Sequence, residues 1–361
     1  MSKKPKVAIF YDWLNQWGGA ERLLLDILQI FPQASLFTSV HQPNKTSWLP
    51  PSIKIKTSFL NKFKMFKTNS ILSLLLQPIA IEQFDFSNFN ILISISSMHG
   101  KALLTSPQTT HINYCLNPNR YLYKHSSLLA KLYQKIDFIY AQRPDYYLTI
   151  SPYIQKQIKK YYQRSSTVIP PGTDLSLFKL PAKQNRQNYF LVVSRLVKHK
   201  KIDLAIKACQ QLKIKLKIVG TGRHSNYFKH IANHQYVEFL GHVSDKELVK
   251  LYQQSQALIC PQLEDFGLTA IEAQACGTPV IALNKGGYPQ TIVHQKTGIL
   301  FDQQTVTRLK SAIKQFQQLK FYPQTCSKNA HHFSKTNFML NFYQQVIKLW
   351  QKQPKKIPTI T

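Results

Sequence analysis

Short apolar runs separated by amphipathic helical stretches recur along the chain. Leu23, Ile27 and Leu28 show helical spacing in the first such stretch, and Ser151 fits the N-cap of a later helix. Continuous apolar runs that alternate with helices predict a parallel sheet covered on both faces. In the first half, the predicted strands lie at residues 7–10, 91–95, 111–115, 146–150 and 168–169.

The same pattern restarts after Pro170-Pro171-Gly172, which interrupts the chain near its middle. We therefore predict two successive α/β domains with a ligand cleft at the carboxyl ends of their strands. The predicted strands of the second half lie at residues 189–193, 216–219, 237–240, 257–260 and 280–283. The predicted domains are residues 1–170 and 171–335, followed at 336–361 by a helix that crosses back to the first domain and a frayed tail.

Length and composition fit two globular domains. The chain has 361 residues, of which 43% are hydrophobic, and its mean hydropathy is -0.25, so two cores of ordinary size are available. No apolar run is long enough to span a bilayer or to act as a signal peptide. The five cysteines show no metal-type spacing. We therefore expect a cytoplasmic protein whose cysteines are structural.

The charge is strongly basic, with 47 Lys and Arg against 16 Asp and Glu and a net charge of +31. Such a field favours anionic partners, whether nucleotide, nucleic acid or anionic lipid, and does not choose among them. A lysine-rich genome would give the same bias with no function attached. Residues 54–76 interleave lysines with aromatic and aliphatic residues. This stretch is either a surface for an anionic membrane or a solvated helix face that covers the core.

A pair of glutamates marks the most informative segment. Only six glutamates occur in the chain, and two of them, Glu264 and Glu272, flank the turn at Phe266-Gly267-Leu268. Gly267 lets the backbone approach a ligand, and a helix that begins near Leu268 offers free N–H groups to an anion. The segment is therefore predicted to hold the two ends of a sugar–phosphate–ribose ligand, with the phosphate between the carboxylates.

Two cations follow the first strand of the second domain. Arg195 stands at the end of that strand, and Lys200 lies five residues later. An arginine offers a planar fork of donors to phosphate oxygens, and a lysine offers a compact charge. Because both residues follow a strand at its carboxyl end, we predict that they bind phosphate.

Taken in order, these motifs resemble those of the retaining glycosyltransferases of family 4, which have the GT-B fold. The resemblance covers most of the chain and implies an α/β protein of two Rossmann-like, doubly wound domains that face each other across a cleft. The motifs that carry it are Gly18-Gly19-Ala20-Glu21-Arg22, residues 168–174, 194–200 and 218–222, the segment from Glu264 to Glu272, residues 279–282, and Gly286-Gly287.

The resemblance implies a site for a nucleotide-activated hexose. Arg195 and Lys200 would neutralise the leaving diphosphate without a metal ion or cofactor, and the nucleotide-sugar would be a co-substrate. Glu264 would bind hydroxyls of the donor sugar, and Glu272 would bind the ribose. The other implied donor-binding residues are Gly18, Gly19, Gly222, Phe266, Gly267, Leu268 and Thr269. In the front-face mechanism proposed for the family, the leaving phosphate oxygen helps to take the acceptor's proton, so no enzymic nucleophile is needed.

The first domain resembles bacterial mannosyltransferase-like members that build surface polysaccharides, through residues 96–101 and 111–121. One position departs from that pattern, because Leu116 stands where these relatives usually carry a histidine near the acceptor. Leucine neither donates nor accepts a hydrogen bond. The acceptor-side candidates are therefore His99, Asn117 and Arg120. Either His99 or Asn117 substitutes for the missing imidazole, or the acceptor is handled differently, or activity is reduced.

These observations predict a metal-independent, retaining transfer of a hexose from GDP-mannose, or from a UDP-sugar, to a lipid-linked or polysaccharide acceptor. The enzyme would act in the cytoplasm or at the inner face of the plasma membrane. Leu116 leaves open a non-catalytic nucleotide-sugar or glycan-binding protein of the same fold. Gln290 is a second departure from the family pattern, since relatives usually carry glutamate at this position. A charge-driven nucleic-acid binder is a further alternative, but no zinc finger, RNP-like motif or concentrated basic helix supports specific nucleic-acid binding.

Overall fold

The computed structural model describes residues 4–63, 65–66, 70–119, 122–124, 126–183 and 185–352. The chain divides into two compact units. The first contains Met1–Pro170 and Phe338–Thr361, and the second contains Pro171–Asn337. Each unit is an α/β domain of Rossmann type built on one wholly parallel sheet.

The first unit has a seven-stranded sheet in the order β3-β2-β1-β4-β5-β6-β7. Its strands are β1 (Val7–Leu14), β2 (Ser35–His41), β3 (Ile55–Thr57), β4 (Ile91–Ser96), β5 (Thr110–Cys115), β6 (Tyr146–Thr149) and β7 (Thr167–Val168). Its helices are α1 (Gly19–Ile30), α2 (Ser70–Glu82), α3 (Leu128–Tyr140) and α4 (Pro152–Tyr162), with short 3₁₀ helices at Pro43–Lys45, Phe59–Lys62, Gly100–Ala102 and Leu122–Lys124.

The central strands explain why apolar runs predicted this sheet. Every residue of β4 and of β5 is buried, because helices cover both faces of a parallel sheet. The alternating α/β pattern is confirmed. The strand β2 was not predicted, since Ser35, Thr38 and Ser39 interrupt its apolar residues.

Residues 54–76 do not form one solvated helix face, which was one of the two interpretations of this stretch. Their first part is the strand β3, which pairs with β2, and the 3₁₀ helix Phe59–Lys62 follows with Leu60 fully buried. That interpretation was wrong for residues 55–62, because this stretch completes the sheet edge and its core. Residues 64 and 67–69 lie outside the described residues.

The second unit has a six-stranded sheet in the order β10-β9-β8-β11-β12-β13. Its strands are β8 (Phe190–Val193), β9 (Leu216–Val219), β10 (Val237–Gly241), β11 (Leu258–Cys260), β12 (Val280–Leu283) and β13 (Gly298–Phe301). Its helices are α5 (Ile202–Leu212), α6 (Ser225–His230), α7 (Asp245–Gln254), α8 (Leu268–Ala275), α9 (Tyr288–Thr291), α10 (Val306–Gln317) and α11 (Pro323–His331), with a 3₁₀ helix at Lys198–Lys200.

The last helix, α12 (Lys335–Lys352), begins in the second unit and continues in the first. In the second unit, Thr173 N–H donates to Phe333 O at 2.8 Å and Lys335 N–H donates to Thr173 O at 3.0 Å. In the first unit, the Phe342 ring of α12 lies 5.2 Å from the Tyr114 ring of β5. None of the described helices combines the length and the apolar content needed to cross a membrane.

Candidate functional site

The strand order of the second unit brings the predicted cations and the first glutamate to one edge of the sheet. Neighbouring strands β8 and β11 lead to connections on opposite sides, so a crevice forms at their carboxyl ends. Arg195 follows β8, and its side chain is exposed. Lys200 ends the 3₁₀ helix after β8, while Glu264 follows β11. The topology therefore gathers charges of both signs at the point where such sheets bind ligands.

Lys200 and Glu264 form a direct ion pair between the Lys200 Nζ and Glu264 Oε1 atoms. Their side chains are 14% and 25% exposed, so the pair is shielded but open to solvent on one side. Gln262 Nε2 donates to the same Glu264 oxygen at 3.3 Å and to the Tyr288 hydroxyl at 2.9 Å. Glu264 thus fixes the ammonium of Lys200 at the sheet edge.

The backbone of Glu264 is held by the glycine pair after β12. Gly287 N–H donates to Glu264 O at 2.9 Å. Gly286 has a φ of +74°, and a Cβ there would lie 2.0 Å from Glu264 O. Only glycine tolerates that approach. This explains physically why the Gly286-Gly287 motif accompanies the glutamate motif in the sequence.

Gly267 gives the turn before α8 its shape. Its φ is +98°, and a Cβ there would lie 2.7 Å from the Tyr288 ring. The helix that follows begins at Leu268, with Thr269 next, and both side chains are half-buried. The first N–H groups of a helix lack intrahelical partners. The predicted phosphate contacts of this turn stay predictions.

The flanking residues Phe266 and Glu272 are buried. The Phe266 ring packs edge-on against the Phe333 ring, with the ring centroids 5.8 Å apart. This contact anchors the turn through its Phe266 side chain. Glu272 is 6% exposed and accepts a hydrogen bond from the Tyr252 hydroxyl at 3.0 Å. Burial, followed by the nearby Glu272 charge, raises the pKa of Tyr252. The carboxylate of Glu272 is thus fixed on the buried side of α8, and its predicted ribose contact stays a prediction.

Gly222 and its neighbour Gly220 pack the loop after β9 against the loop that carries Arg195. A Cβ at Gly222 would lie 2.4 Å from Leu196 O, and one at Gly220 would lie 2.0 Å from Ser194 O. Leu196 N–H donates to Thr221 O at 2.9 Å. The glycines therefore let two backbones touch, which sets the position of the loop that carries Arg195. The donor contact predicted for Gly222 stays a prediction.

In the first unit, the end of β1 forms a second cluster of polar groups. Asp12 is 8% exposed and accepts hydrogen bonds from Ser96 Oγ at 2.9 Å and from Ser97 N–H at 3.1 Å. Burial raises the pKa of Asp12, while these hydrogen bonds act in the opposite direction. The loop after β4 is therefore wrapped around the Asp12 carboxylate. The sequence predictions did not include Asp12, although an acid within a run of buried residues is a signal in so basic a chain.

The predicted glycines Gly18 and Gly19 lie at the start of α1, where Gly18 is the N-cap. One turn later, Glu21 is 1% exposed and accepts from the Tyr11 hydroxyl at 2.7 Å and from Gln16 Nε2 at 3.1 Å. Glu21 was also not predicted as a site residue. Its hydrogen bonds tie the glycine loop to the end of β1.

His99 is held by a hydrogen-bonded chain. Gln77 Nε2 donates to Ser39 Oγ at 3.0 Å, which leaves Gln77 Oε1 to accept from His99 Nδ1 at 2.8 Å. In this assignment His99 Nδ1 carries the proton and Nε2 keeps its lone pair. Burial, with a smaller effect of the Lys101 charge, lowers the pKa of His99 to about 4, so the ring is neutral at physiological pH.

The other acceptor-side candidates are only partly placed. Leu116 is half-buried beside the end of β4, where its N–H donates to Ser96 O at 3.1 Å. Asn117 follows it and is half-buried. Arg120 lies outside the described residues. Leu116 and His99 therefore both flank Ser96-Ser97, although only His99 brings a polar side chain there.

His111 belongs to the core. Its Nε2 lies 2.7 Å from Ser94 Oγ, which also accepts from Asn113 Nδ2 at 2.8 Å. Burial lowers the pKa of His111 to about 3. This histidine is a fully buried, hydrogen-bonded core residue.

The two Rossmann-type α/β units, together with the solved structures that match them, define the fold class as GT-B. Among solved structures, Anabaena HepE in complex with UDP-glucose matches this chain with a TM-score of 0.68 and 19% identity, over 96% of this chain and 99% of that chain. A likeness at this level of identity concerns the fold.

Sequence comparison adds a family match in the second unit and two curated relatives of the chain. Residues 176–333 match the family Glycosyl transferases group 1. An uncharacterized glycosyltransferase of Methanocaldococcus jannaschii is 26% identical over 198 residues, or 53% of this chain and 55% of that protein. The GDP-mannose-dependent alpha-(1-6)-phosphatidylinositol monomannoside mannosyltransferase of Mycobacterium tuberculosis is 31% identical over 172 residues, or 40% of this chain and 45% of that protein. The chain thus spans about half the length of these curated relatives.

The Gly286 contact yields a prediction of stability. Alanine at Gly286 must adopt a left-handed conformation and also clash with Glu264 O, so we expect a loss of about 3 kcal/mol in the free energy of unfolding. Gly241 is the matched control, because its φ is +67° with nothing near its Cβ position. Gly241→Ala should cost only about 1 kcal/mol. Urea unfolding followed by circular dichroism compares them, and equal losses would contradict the proposed contact.

The two neutral histidines predict that acid weakens the first unit. The pKa values of His99 and His111, about 4 and about 3, lie below the ordinary 6.5. Between these values the unfolded chain binds protons that the folded unit does not, so the free energy of unfolding falls as pH drops from about 7 towards 4. All four tryptophans (positions 13, 17, 48 and 350) belong to the first unit. Tryptophan fluorescence in urea at pH 7 and pH 5 therefore measures this unit.

A histidine variant provides the control for this pH effect. His111→Gln removes one titrating group while an amide nitrogen can still face Ser94, so its loss of stability on acidification should be smaller than that of the unchanged protein. A pH dependence of His111→Gln identical to that of the unchanged protein would rule out His111 as a source.

Proposed function

We propose that this protein is a glycosyltransferase that moves a hexose from a nucleotide-activated donor to a glycan or lipid-linked acceptor. The observation that carries the proposal is the Lys200–Glu264 ion pair at the β8/β11 crevice of a unit that matches Glycosyl transferases group 1. An anchored cation and an anchored carboxylate at one sheet edge suit a ligand that has both phosphate oxygens and sugar hydroxyls.

The donor diphosphate would be bound by side chains, with no metal ion or cofactor. Arg195 is exposed at the end of β8 and presents a planar fork, while Lys200 is already positioned by Glu264. A diphosphate would give Lys200 a second anionic partner and leave the other oxygen of Glu264 to accept from sugar hydroxyls. The two cations would then stabilise the charge that develops on the leaving group.

The transfer would retain the configuration of the sugar. In the front-face route, the departing phosphate oxygen helps to take the acceptor's proton, and the anomeric carbon bonds to the acceptor oxygen on the face that the phosphate leaves. No enzymic nucleophile is needed. The fixed cations Arg195 and Lys200 suit this route, because they would stabilise the diphosphate while it acts as a base.

GDP-mannose is our first choice of donor. The Mycobacterium tuberculosis relative is named for a GDP-mannose-dependent mannosyltransferase activity and is 31% identical over 172 residues. A UDP-sugar is the second choice, because the structure of HepE in the same fold is a complex with UDP-glucose. The nucleobase of the donor would lie near Gly222, where the loops after β8 and β9 pack together.

His99 is our candidate for contact with the acceptor. Its ring is neutral, and the Gln77–Ser39 chain leaves the Nε2 lone pair to accept a hydrogen bond. This imidazole would substitute for the one that Leu116 lacks. The acceptor would be a lipid-linked or polysaccharide glycan, in keeping with the phosphatidylinositol mannoside acceptor named for the Mycobacterium tuberculosis relative.

Leu116 favours one second candidate, a non-catalytic protein of this fold that binds a nucleotide-sugar or a glycan. Two measurements on the purified chain separate the candidates. A thermal-shift screen with GDP, UDP, ADP and their sugars identifies the nucleotide, because a ligand that binds only the native state raises its stability. Hydrolysis of GDP-mannose or UDP-glucose, or transfer of their sugars, then dismisses the non-catalytic candidate. Stabilisation without any turnover would support it.

Removing either cation should slow turnover strongly. We expect Arg195→Met and Lys200→Met each to lower the rate of donor cleavage by about 10²–10³-fold, as does loss of one donor to a developing oxyanion. Lys198→Met is the matched control, since Lys198 is exposed in the same 3₁₀ helix, and it should keep most of the activity. Unchanged rates in both test variants would remove Arg195 and Lys200 from the site.

Glu272 should act on binding more than on turnover. We expect Glu272→Ala to raise the dissociation constant for the free nucleotide about tenfold, the effect of one lost charge-assisted hydrogen bond. Tyr252→Phe removes only the hydroxyl that donates to this carboxylate and serves as the control for effects on packing. Equal nucleotide affinity in Glu272→Ala and the unchanged protein, by titration calorimetry, would contradict the ribose contact.

A further inference from the structure

Helix α3 turns an apolar stripe towards solvent. Leu128, Leu132, Ile136 and Ile139 lie at spacings that place them on one face of the helix. Leu128 is 84% exposed, Leu132 is 54% exposed and Ile139 is 61% exposed, and the neighbouring Leu129 is 70% exposed. An amphipathic helix on a globular domain ordinarily buries such a stripe in the core, whereas the stripe of α3 faces solvent.

A polar anchor on the other side of α3 explains the orientation. Asp137 is 5% exposed and forms an ion pair with Lys101 at 2.7 Å, while the Tyr123 hydroxyl donates to it at 3.0 Å. Rotating the helix to bury the stripe would expose Asp137 and leave the Lys101 ammonium buried without its counter-ion. Breaking a buried pair in this way costs several kcal/mol. The outward stripe is therefore fixed by the fold.

The charges beside the stripe have one sign. Lys131 and Lys135 are exposed and lie along one edge of it. The only acid within Leu128–Tyr140 is Asp137, which faces inward and is neutralised by Lys101. The exposed face of α3 thus combines large aliphatic side chains with lysines and shows no carboxylate.

We propose that α3 docks this protein on an anionic lipid surface. Lysines beside an apolar stripe are the combination that binds the headgroup region of anionic bilayers, where the apolar face enters the acyl boundary. A second copy of the chain is a poorer occupant, because each copy carries a net charge of +31 and the two would repel each other. With 13 residues, α3 is about 20 Å long and would lie along the interface.

The inference does not depend on the proposed reaction, because it uses no residue of the candidate site. It also places the lipid surface on α3, whereas the sequence predictions considered residues 54–76 for that role. In that earlier stretch, β3 and Leu60 are part of the sheet and core.

Vesicle co-sedimentation of the full chain tests the proposal. The probes are vesicles of equal parts phosphatidylglycerol and phosphatidylcholine, compared with phosphatidylcholine alone, at about 0.1 M salt. We expect the unchanged protein to sediment with the anionic vesicles. The double variant Leu128→Asn, Leu132→Asn should lower its partition coefficient at least about tenfold, because two leucines that lipid binding would bury are lost. The matched control is Leu319→Asn, Leu340→Asn, which alters two exposed leucines elsewhere and should bind as before.

A pair of lysine substitutions separates the electrostatic contribution to lipid binding from the apolar one. Lys131→Gln, Lys135→Gln should lower anionic binding about tenfold or more and weaken its salt dependence. The equivalent double change at Lys156 and Lys159, which are exposed on α4, should have a smaller effect. Circular dichroism checks that every variant is folded.

Three outcomes would overturn the proposal. The first is that the α3 variants sediment like the unchanged protein, and the second is that the control variants lose as much binding as the α3 variants. The third is that sedimentation velocity shows a self-associated chain that the leucine variants make monomeric, in which case a second copy covers α3. Donor cleavage in solution is measured on the same variants and should be unchanged, so a failure of lipid binding and a failure of the proposed transfer are told apart.

Discussion

Every strand in both sheets runs parallel to its neighbours, and this constraint determines where chemistry can occur in the molecule. A parallel sheet needs helices on both faces, which leaves only the strand ends open to ligands. In the second unit the reversal of strand order at β8 and β11 puts Arg195, Lys200 and Glu264 at one such end. In the first unit the corresponding reversal at β1 and β4 puts Asp12 beside the loop that carries His99. The two clusters follow from one topological rule applied twice.

Acidic side chains are scarce in this chain, with 16 against 47 basic residues, and three buried ones hold neighbouring segments together. Asp12 and Glu21 in the first unit, and Glu272 in the second, are all buried and accept hydrogen bonds from hydroxyl or amide donors. Glu264 differs, because it stays partly exposed and pairs with a lysine. A carboxylate that is fixed in place but still open to solvent is the kind that can accept hydrogen bonds from a sugar.

The sequence was sufficient for much of the interior of the fold, because the predicted run at residues 91–95 is apolar apart from Ser94 and is buried throughout as β4. It failed at β2, where Thr38 and Ser39 are buried with partners far along the chain: Thr38 donates to Asp12 O, and Ser39 accepts from Gln77. Local periodicity carries no information about such partners. The same limit applies to the site. Motif order indicated Lys200 and Glu264 separately, but their direct pairing depends on the neighbouring positions of β8 and β11.

Helix α3 shows a further limit of hydrophobic periodicity as a guide to structure. A stripe at helical spacing tells which residues share a face, but not whether that face meets the core or solvent. Here the buried Asp137–Lys101 pair decides, because Lys101 sits in the Gly100–Ala102 turn directly after His99. The ion pair that turns the aliphatic side chains of α3 outward therefore also fixes the loop that wraps around Asp12 and holds His99. A lipid surface bound by α3 would lie against the same helix that positions the candidate acceptor residue, which suits an enzyme whose acceptor is itself attached to lipid.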